Sequence, residues 1–412
     1  MYLSRCAFGI CVAAILAACA GSAPSFNGVP GSQPVSKIDR PVAPPRIQNL
    51  IVVIQQDRSF DNLFAGFPGA DAPHKGLTSK GKYVPLVPIR LQTNACQIYL
   101  GYGQYFDIAW DHGKMDGWNL LDHKRPLCPY TRVADHDKRL YWQLARQYAL
   151  ADHMFSSTRF DNFVEQLYLI SGTTQIGAQK YVAGPPNGAV WGCNAPPGSH
   201  TTLLDRGRIQ RGAGPFPCFT QVRTMANLFD DAGISWRYYF DPPGSGGTDW
   251  NPFEAIKYVF EGSDWINDMS APVTNVLPDI ASGTLPSVSW VLSAPRDSDA
   301  PGASGGPKWV TAIVNALKNS KYWPHAAIVI VWAEAGDGDF YDNVAPPQLD
   351  PMGLGFRVPL ITVSPLAKHG YISHTQYEFG SILKFIEENW GLPRLGGHAT
   401  DARANSIGDM FQ

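Results

Sequence analysis

The chain has 412 residues, of which 44% are hydrophobic, 12% aromatic and 17% charged, and its formal net charge is −2. This composition allows a large buried core, and the absence of a basic block excludes nucleic acid as an expected partner. The 40 Gly and 34 Pro residues indicate many turns and long connections, which favours one large decorated α/β domain.

The first 19 residues have the features of an export signal. Arg5 supplies a positive charge, a short apolar segment follows, and the sequence LAAC ends it at Cys19. LAAC resembles a bacterial lipoprotein box, in which the Cys is lipidated; the alternative is an ordinary signal peptide with a chance Cys. We expect residues 1–19 to be a lipoprotein signal peptide, and Ala20 after the Cys favours anchoring to the outer membrane, with a periplasmic or surface-exposed body.

Two further regions follow this signal. Residues 20–45 are rich in Gly, Ser and Pro and predict a flexible tether, which would hold the body at the membrane surface. Residues 46–412 contain no internal repeat and no apolar run of transmembrane length, so we expect them to form a single domain.

The cysteines of this domain predict disulfides, because export implies an oxidising compartment. Cys96, Cys128, Cys193 and Cys218 allow three pairings. We favour Cys96–Cys128 and Cys193–Cys218, since each pair would enclose one loop-rich insertion. A metal site is the weaker alternative, because no CxxC spacing or adjacent His occurs.

Short apolar runs and helical patterns alternate along the domain. In chain order they are strand NLIVVIQ (49–55), helices RLYWQLARQYALADHMF (139–155), VEQLYLISG (164–172) and TMANLFDDAG (224–233), strand SVSWVLS (287–293), helix PKWVTAIVNALKNS (307–320), strands AAIVIVWAE (326–334) and VPLITVS (358–364), and helix YEFGSILKFIEENWG (377–391). This alternation predicts an α/β fold with a mostly parallel central sheet and helices on both faces. Chemistry in such sheets collects beyond the carboxyl ends of the strands.

Carboxylates follow three of the predicted strands, a pattern that suits a divalent cation but is also common in ordinary turns. They are Asp57 and Asp61, then Asp297 and Asp299, then Glu334, Asp337, Asp339 and Asp342. A nucleophile is harder to identify, because no G-x-S-x-G motif occurs and Ser59 is better interpreted as a loop cap. His112, His153, His369 and His374 are interpreted as structural hydrogen-bonding groups.

Many ordered segments resemble one family. They include IVVIQQDRSFDNLFAGFPGAD, GKMDGWN, YALADHMFSS, QLYLISGTT and GFRVPLITVSPLAKHGYISHTQYEFGSILKFIE, between about Ile47 and Asp409. The chain is similar to the bacterial phospholipase C and acid phosphatase phosphoesterases of the alkaline-phosphatase-like superfamily. The resemblance implies a hydrolase of phosphoric ester bonds, with a Ser or Thr nucleophile, a divalent metal ion and His residues that bind phosphate or protonate the leaving group.

The metal positions that the resemblance implies are altered. The family usually has Glu-Asn at the end of the first strand, where this chain has Gln56 and Asp57. At the later Trp-Asp-Asp/Glu motif, Ala333 replaces one carboxylate and Glu334 keeps the other. Asp57 and Glu334 with one inserted Asp could still hold a single divalent ion, so the sequence leaves open whether one is bound.

The positions of the nucleophile and of two His residues are altered as well. The nucleophile position matches Asn162, which has no hydroxyl group, and the His positions match Ala300 and Asn343. We therefore expect a catalytically degenerate member, a pseudoenzyme, that keeps a polar cleft for a phosphate-bearing ligand. The alternative is an active metal-dependent hydrolase of phospholipase C or acid phosphatase type with an altered metal site.

Overall fold

A computed structural model describes residues 45–96, 103–186, 191–242, 251–333 and 340–412. Cys19, the predicted tether up to residue 44, and Glu334, Asp337 and Asp339 lie outside these residues. None of the helices within the described ranges combines the length and the apolar composition that crossing a bilayer requires.

The described residues contain sixteen strands. They are β1 (Asn49–Gln56), β2 (Lys75–Leu77), β3 (Tyr83–Pro85), β4 (Val87–Ile89), β5 (Thr131–Val133), β6 (Ala149–Ala151), β7 (Gln175–Gly177), β8 (Lys180–Gly184), β9 (Thr202–Asp205), β10 (Arg208–Gln210), β11 (Trp236–Tyr239), β12 (Met269–Ser270), β13 (Val288–Leu292), β14 (Ala326–Ala333), β15 (Leu360–Val363) and β16 (Tyr371–Ser373).

The same residues contain ten α-helices. They are α1 (Phe60–Phe64), α2 (Gln104–Trp110), α3 (Asp135–Gln147), α4 (Asn162–Ser171), α5 (Met225–Ala232), α6 (Lys257–Phe260), α7 (Asp264–Asn267), α8 (Val276–Ser282), α9 (Gly306–Lys318) and α10 (Phe379–Trp390).

Eight strands form the central sheet in the order β12-β11-β13-β1-β14-β15-β6-β16. All of them run in one direction except β15, which is antiparallel to β14 and to β6. The expected mostly parallel sheet is therefore confirmed, and it carries one reversed strand. Seven strands consequently direct their carboxyl ends toward the same rim.

The centre of the sheet is the pair β1 and β14. Their register runs from Asn49 opposite Ala326 to Gln56 opposite Ala333. Every residue of β14 is buried, so this strand is covered on both faces, as its near-continuous apolar sequence requires. The helices that cover the sheet form two groups. Helix α4 packs with α10, and helix α9 packs with α3 and α8. Helices α4 and α9 both contact β14.

The helix predicted over 139–155 is wrong in its second half. Helix α3 ends at Gln147, and Ala149–Ala151 form β6, which fills the sheet between β15 and β16. The three residues are fully buried on both sides of the sheet. A short apolar run is compatible with either a helix or a strand. Here residues 149–151 form a strand because they pair with two neighbouring strands.

Both predicted disulfides are confirmed. Cys96 is bonded to Cys128 across 32 residues, and Cys193 is bonded to Cys218 across 25 residues. The second bond closes a segment that contains β9 and β10, two strands of a separate four-stranded antiparallel sheet. Each bond therefore closes one loop that lies outside the central sheet.

Candidate functional site

Gln56 and Ala333 are the last residues of β1 and β14, and they lie opposite each other. Both are buried, and Gln56 Nε2 has no hydrogen-bond partner within the described residues. Asp57 follows, with its main-chain N–H donating to the Ala333 carbonyl at 2.9 Å. Its φ of 64° lies in the left-handed region, an uncommon conformation for a residue with a side chain.

A third strand end is joined to this pair through Arg58. The buried guanidinium donates from Nε to the Asp299 carbonyl at 2.8 Å, which links the loop after β1 to the loop after β13. Ala300 is the next residue and is half-buried. The structure therefore brings Gln56, Asp57, Ala333 and the Asp299–Ala300 segment to one place, as the strand-end rule predicts.

Asp299 itself is fully buried. Its Oδ2 accepts a hydrogen bond from Trp332 Nε1 at 2.8 Å. Burial raises the pKa of Asp299 to about 6, against a lowering by hydrogen bonds and by the charge of Arg58. The side chain is packed beneath the strand ends.

Ser59 serves as a cap, which agrees with its interpretation from the sequence. Its hydroxyl accepts a hydrogen bond from Asn62 N at 3.2 Å and so caps α1. The same hydroxyl donates to the Tyr341 carbonyl at 2.8 Å. The Ser59 hydroxyl is thus used both as acceptor and as donor, and its donated bond joins the loop after β1 to the segment at 340–343.

A buried ionic cluster lies beside these loops. Arg357 donates from Nε to Asp342 at 2.8 Å and from Nη2 to Asp61 at 3.2 Å, and all three side chains are fully buried. Burial and the neighbouring Asp342 carboxylate raise the pKa of Asp61 well above its ordinary value, although Arg357 acts in the opposite direction. The carboxylates at the third predicted strand end are therefore partly used in an internal ion pair.

Asn343 joins this cluster to the surface. Its Oδ1 accepts from Arg357 Nη2 at 2.6 Å, and its Nδ2 donates to Asp71 Oδ1 at 2.9 Å. Its main-chain N–H donates to Asp61 at 2.9 Å. Asn343, which the resemblance places at a His position, thus makes three hydrogen bonds through amide and main-chain groups.

A cavity of about 630 Å³ opens next to Asn343. Its lining includes Asp71, Lys75, Lys114 and Tyr341. Lys114 forms a surface ion pair with Asp111 at 2.7 Å, whereas Lys75 has no ion-pair partner within the described parts of the chain. The lining mixes polar and apolar side chains, and its two lysines suit an anionic group on a ligand.

Asn162 is the first residue of α4, and its Oδ1 is buried without a hydrogen-bond partner among the described residues. The preceding residue, Asp161, caps the helix by accepting a hydrogen bond from Phe163 N at 3.1 Å. Helix α4 contacts β14, which places the helix against the central sheet. No hydrogen bond of the described residues joins the Asn162 side chain to the ends of β1 or β14.

A second polar cluster lies on the far side of β15. Asp152 is fully buried, and its carboxylate lies 2.8 Å from His153 Nδ1 and 2.9 Å from His374 Nδ1. Asp71 N donates to the same carboxylate at 2.9 Å. Burial raises the pKa of Asp152, but hydrogen bonds from His153 and the Asp71 amide outweigh burial and hold it below its ordinary value.

This cluster was missed in the sequence analysis, although the signal was present. Asp152 follows β6 directly and His374 follows β16 directly, so both obey the strand-end rule. The error arose because β6 was assigned to a helix. His369, by contrast, lies 3.1 Å from the Gln147 carbonyl through Nδ1, which agrees with a structural hydrogen bond.

The residues that the resemblance places at metal positions do not offer the carboxylates that it implies. Gln56 offers an amide and Ala333 a methyl group, so Asp57 is the one carboxylate that these positions supply within the described residues. Divalent ions at phosphoester sites require several oxygen ligands, carboxylates above all. The ends of β1 and β14 therefore offer too few oxygen ligands among the described residues for us to assign a metal-dependent step to them.

Known proteins resemble this chain in sequence. The non-hemolytic phospholipase C of Pseudomonas aeruginosa is 24% identical over 402 residues, which cover 84% of this chain and 54% of that protein. Phospholipase C A of Mycobacterium tuberculosis is 24% identical over 427 residues, covering 88% and 76%. Non-specific phospholipase C4 of Arabidopsis thaliana is also 24% identical, covering 82% and 66%. The chain spans about half the length of its Pseudomonas relative.

Solved structures share part of the architecture. A protein of the alkaline phosphatase superfamily from Vibrio parahaemolyticus has a TM-score of 0.38 and 10% identity, covering 84% of this chain and 68% of that chain. A phosphonate monoester hydrolase of Agrobacterium radiobacter has a TM-score of 0.40 and 9% identity, covering 88% and 77%. Likeness at these scores carries no inference about the function of this chain.

A model of the Phosphoesterase family matches residues 47–393. This range contains the ends of β1 and β14, helix α4, the cavity and the Asp152 cluster. The match confirms the resemblance seen in the sequence over most of the domain. The chain belongs to the Phosphoesterase family.

Proposed function

We propose that this protein binds a phosphate-bearing ligand and does not hydrolyse it. The observation that carries the proposal is the pair Gln56 and Ala333 at the joined ends of β1 and β14. An amide and a methyl group stand there, where the resemblance calls for metal-binding carboxylates. Without these carboxylates a divalent metal ion would not be held there. The equatorial oxygens of a reacting phosphoryl group would then lose their main electrostatic stabilisation.

The start of α4 supports the same proposal. Asn162 has no hydroxyl group that could attack phosphorus. The Asp161 carboxylate accepts the first-turn amide of Phe163, so the positive end of the helix already has an acidic partner. A phosphate group at this end would meet a like charge.

Binding is assigned to the cavity beside Asn343. Lys75 and Lys114 supply positive charge on its wall, and Tyr341 and Asn343 supply polar and aromatic surface. An ammonium group that contacts a phosphate oxygen makes a charge-assisted hydrogen bond, which is stronger than a neutral one. The ligand class is therefore a small molecule with an anionic phosphate group.

The location of the protein is part of the proposal. Export followed by lipid attachment at Cys19 and a tether over 20–45 would hold the domain over residues 46–412 at an outer-membrane surface. The support is the sequence LAAC after a short apolar segment. Mass spectrometry of the purified full chain should find a diacylated or triacylated Cys as its first residue, and an intact N-terminus would contradict it.

Calorimetric titration of the full chain with phosphocholine and with inorganic phosphate tests the binding site. We expect Lys75→Ala to weaken binding by at least about tenfold, because it removes a charged donor. Lys80→Ala is the matched control, since Lys80 lies on the turn after β2 and does not line the cavity. Equal affinity of both variants and the wild type would place the ligand elsewhere.

A metal-dependent hydrolase with an altered site is the second candidate. The observation that favours it is Asp57, a half-buried carboxylate held at a positive φ beside the strand ends. Backbone strain of this kind often marks functional sites. Turnover that disappears in Asp57→Ala would favour this candidate over the first.

A further inference from the structure

Asp152, His153 and His374 lie at the ends of two neighbouring parallel strands. Ala151 and Ser373 are the last residues of β6 and β16, and they are opposite each other in register. The next residue of each strand, Asp152 and His374, therefore extends from the same rim. This rim position is separated from Gln56 and Ala333 by the antiparallel strand β15.

The potential ligand atoms of the three side chains already converge. One atom from each residue lies within 4.8 Å of the other two. The two His Nδ1 atoms are 2.8 and 2.9 Å from the Asp152 carboxylate. Ligand atoms around a tetrahedral Zn²⁺ ion are about 3.3 Å apart. The two His-to-carboxylate distances lie within about 0.5 Å of this value, so small side-chain adjustments at Asp152 suit an ion there.

The position of Asp152 is fixed before any ion binds. The Asp71 amide donates to its carboxylate, and Arg357 Nη1 donates to the main-chain carbonyls of Asp152 and Asp71 at 2.7 and 2.9 Å. The carboxylate is fully buried, whereas the His374 side chain is 61% exposed. The cluster thus combines a rigid acidic ligand with an open side through which an ion can enter.

We propose that Asp152, His153 and His374 bind one divalent transition-metal ion, with Zn²⁺ as the preferred class. Two imidazoles and one carboxylate form a borderline donor set that suits Zn²⁺ and Co²⁺ better than Mg²⁺ or Ca²⁺, which prefer oxygen ligands. Asp71 is a further carboxylate beside the cluster, with Oδ2 3.9 Å from His153 Nε2. Its other oxygen contacts Asn343, so the ion would lie behind the wall of the cavity.

Zinc and cobalt titrations of the metal-free full chain test this site. Equilibrium dialysis with Zn²⁺ should give one ion per chain, and Co²⁺ should give the visible absorption of a four- or five-coordinate centre with nitrogen ligands. We expect His374→Ala and His153→Ala to weaken binding by about tenfold or more. His374→Ala is the sharper variant, because its exposed side chain contributes little to the fold.

His369→Ala is the matched control, since His369 is exposed and lies outside the cluster. It should bind Zn²⁺ as tightly as the wild type. The proposal is overturned if the wild type binds no Zn²⁺, or if His374→Ala and His153→Ala bind it as tightly as His369→Ala does. Either outcome would assign the cluster to a hydrogen-bond network alone, and neither bears on phosphate binding at Lys75.

Discussion

Asp299 shows how a residue of the acidic strand ends has become part of the interior. Its carboxyl group is fully buried and receives one hydrogen bond from Trp332. In the unfolded chain the carboxyl group has its ordinary pKa of 3.8, whereas burial raises its pKa in the folded state to about 6. Folding therefore becomes less favourable as the pH rises between these values.

We predict that Asp299→Asn removes this pH dependence. Well below pH 3.8 the wild-type carboxyl is protonated in both states, and above about pH 6 the folded state carries the cost of a buried charge. The wild type should therefore lose roughly 3 kcal/mol of unfolding free energy over this interval relative to the variant. Urea denaturation at several pH values measures the difference.

Asp297→Asn is the control for this measurement, because Asp297 is half-buried and pairs with Arg296 at the surface. It should keep the pH dependence of the wild type. Parallel stability curves for the wild type and Asp299→Asn would contradict the role given to burial.

Individual residues were predictable where a local rule applied. Ser59 could be identified as a cap because it stands between a strand and a helix, and the carboxylates after β1 and β13 could be placed at one rim. The partners of Arg58 and Arg357 could not be predicted, because each guanidinium reaches loops far away in sequence. Which carboxylates face a ligand and which are paired inside depends on those contacts.

Among the elements, the segments after β1, after β6 and between Phe340 and β15 are held together by the buried Arg357. Arg357 contacts Asp61 and Asp342 through its side chain and the Asp71 and Asp152 carbonyls through Nη1. A buried ion pair is costly to break, because removing one partner leaves an uncompensated charge. The arrangement therefore fixes the cavity wall and the Asp152 cluster together.

We predict that Arg357→Met lowers the unfolding free energy by about 3–5 kcal/mol. The reason is that Asp61 and Asp342 remain buried without their cation. Urea denaturation measures the loss, and adding Asp61→Asn and Asp342→Asn should recover part of it. Arg90→Met is the control: Arg90 pairs with Asp137 at the surface and is 59% exposed, so its loss should cost less than about 1 kcal/mol. Equal effects of the two Arg variants would contradict the cluster's role.

The elements also show where sequence reasoning reached its limit. The long strands β1 and β14 were predicted within one residue at each end, because their apolar runs are continuous. Strand β6 has three residues and follows a helix without a turn signal, so its pairing with β15 and β16 decided its state. Because β6 was predicted as helix, Asp152 and His153 were not recognised as residues at a strand end.

At the scale of the whole molecule, the family match covers the scaffold, and the proposed function rests on the positions where the resemblance implies reactive residues that this chain does not have. The match over residues 47–393 spans the central sheet and the helices against it. The positions that the resemblance implies to be altered are Gln56, Asp57, Asn162, Ala300, Ala333 and Asn343. Loss of a nucleophile alone commonly removes several decades of rate. We propose binding without turnover because the resemblance implies that the nucleophile and the metal ligands are absent together.

The most direct test is product release from p-nitrophenyl phosphate and p-nitrophenyl phosphorylcholine by the full chain with Mn²⁺, Ca²⁺, Mg²⁺ or Zn²⁺. We predict no turnover by the wild type. We also predict measurable turnover by a variant that carries Gln56→Glu, Asp57→Asn, Asn162→Thr, Ala300→His, Ala333→Asp and Asn343→His. Turnover by the wild type that Asp57→Ala abolishes would contradict the proposed function.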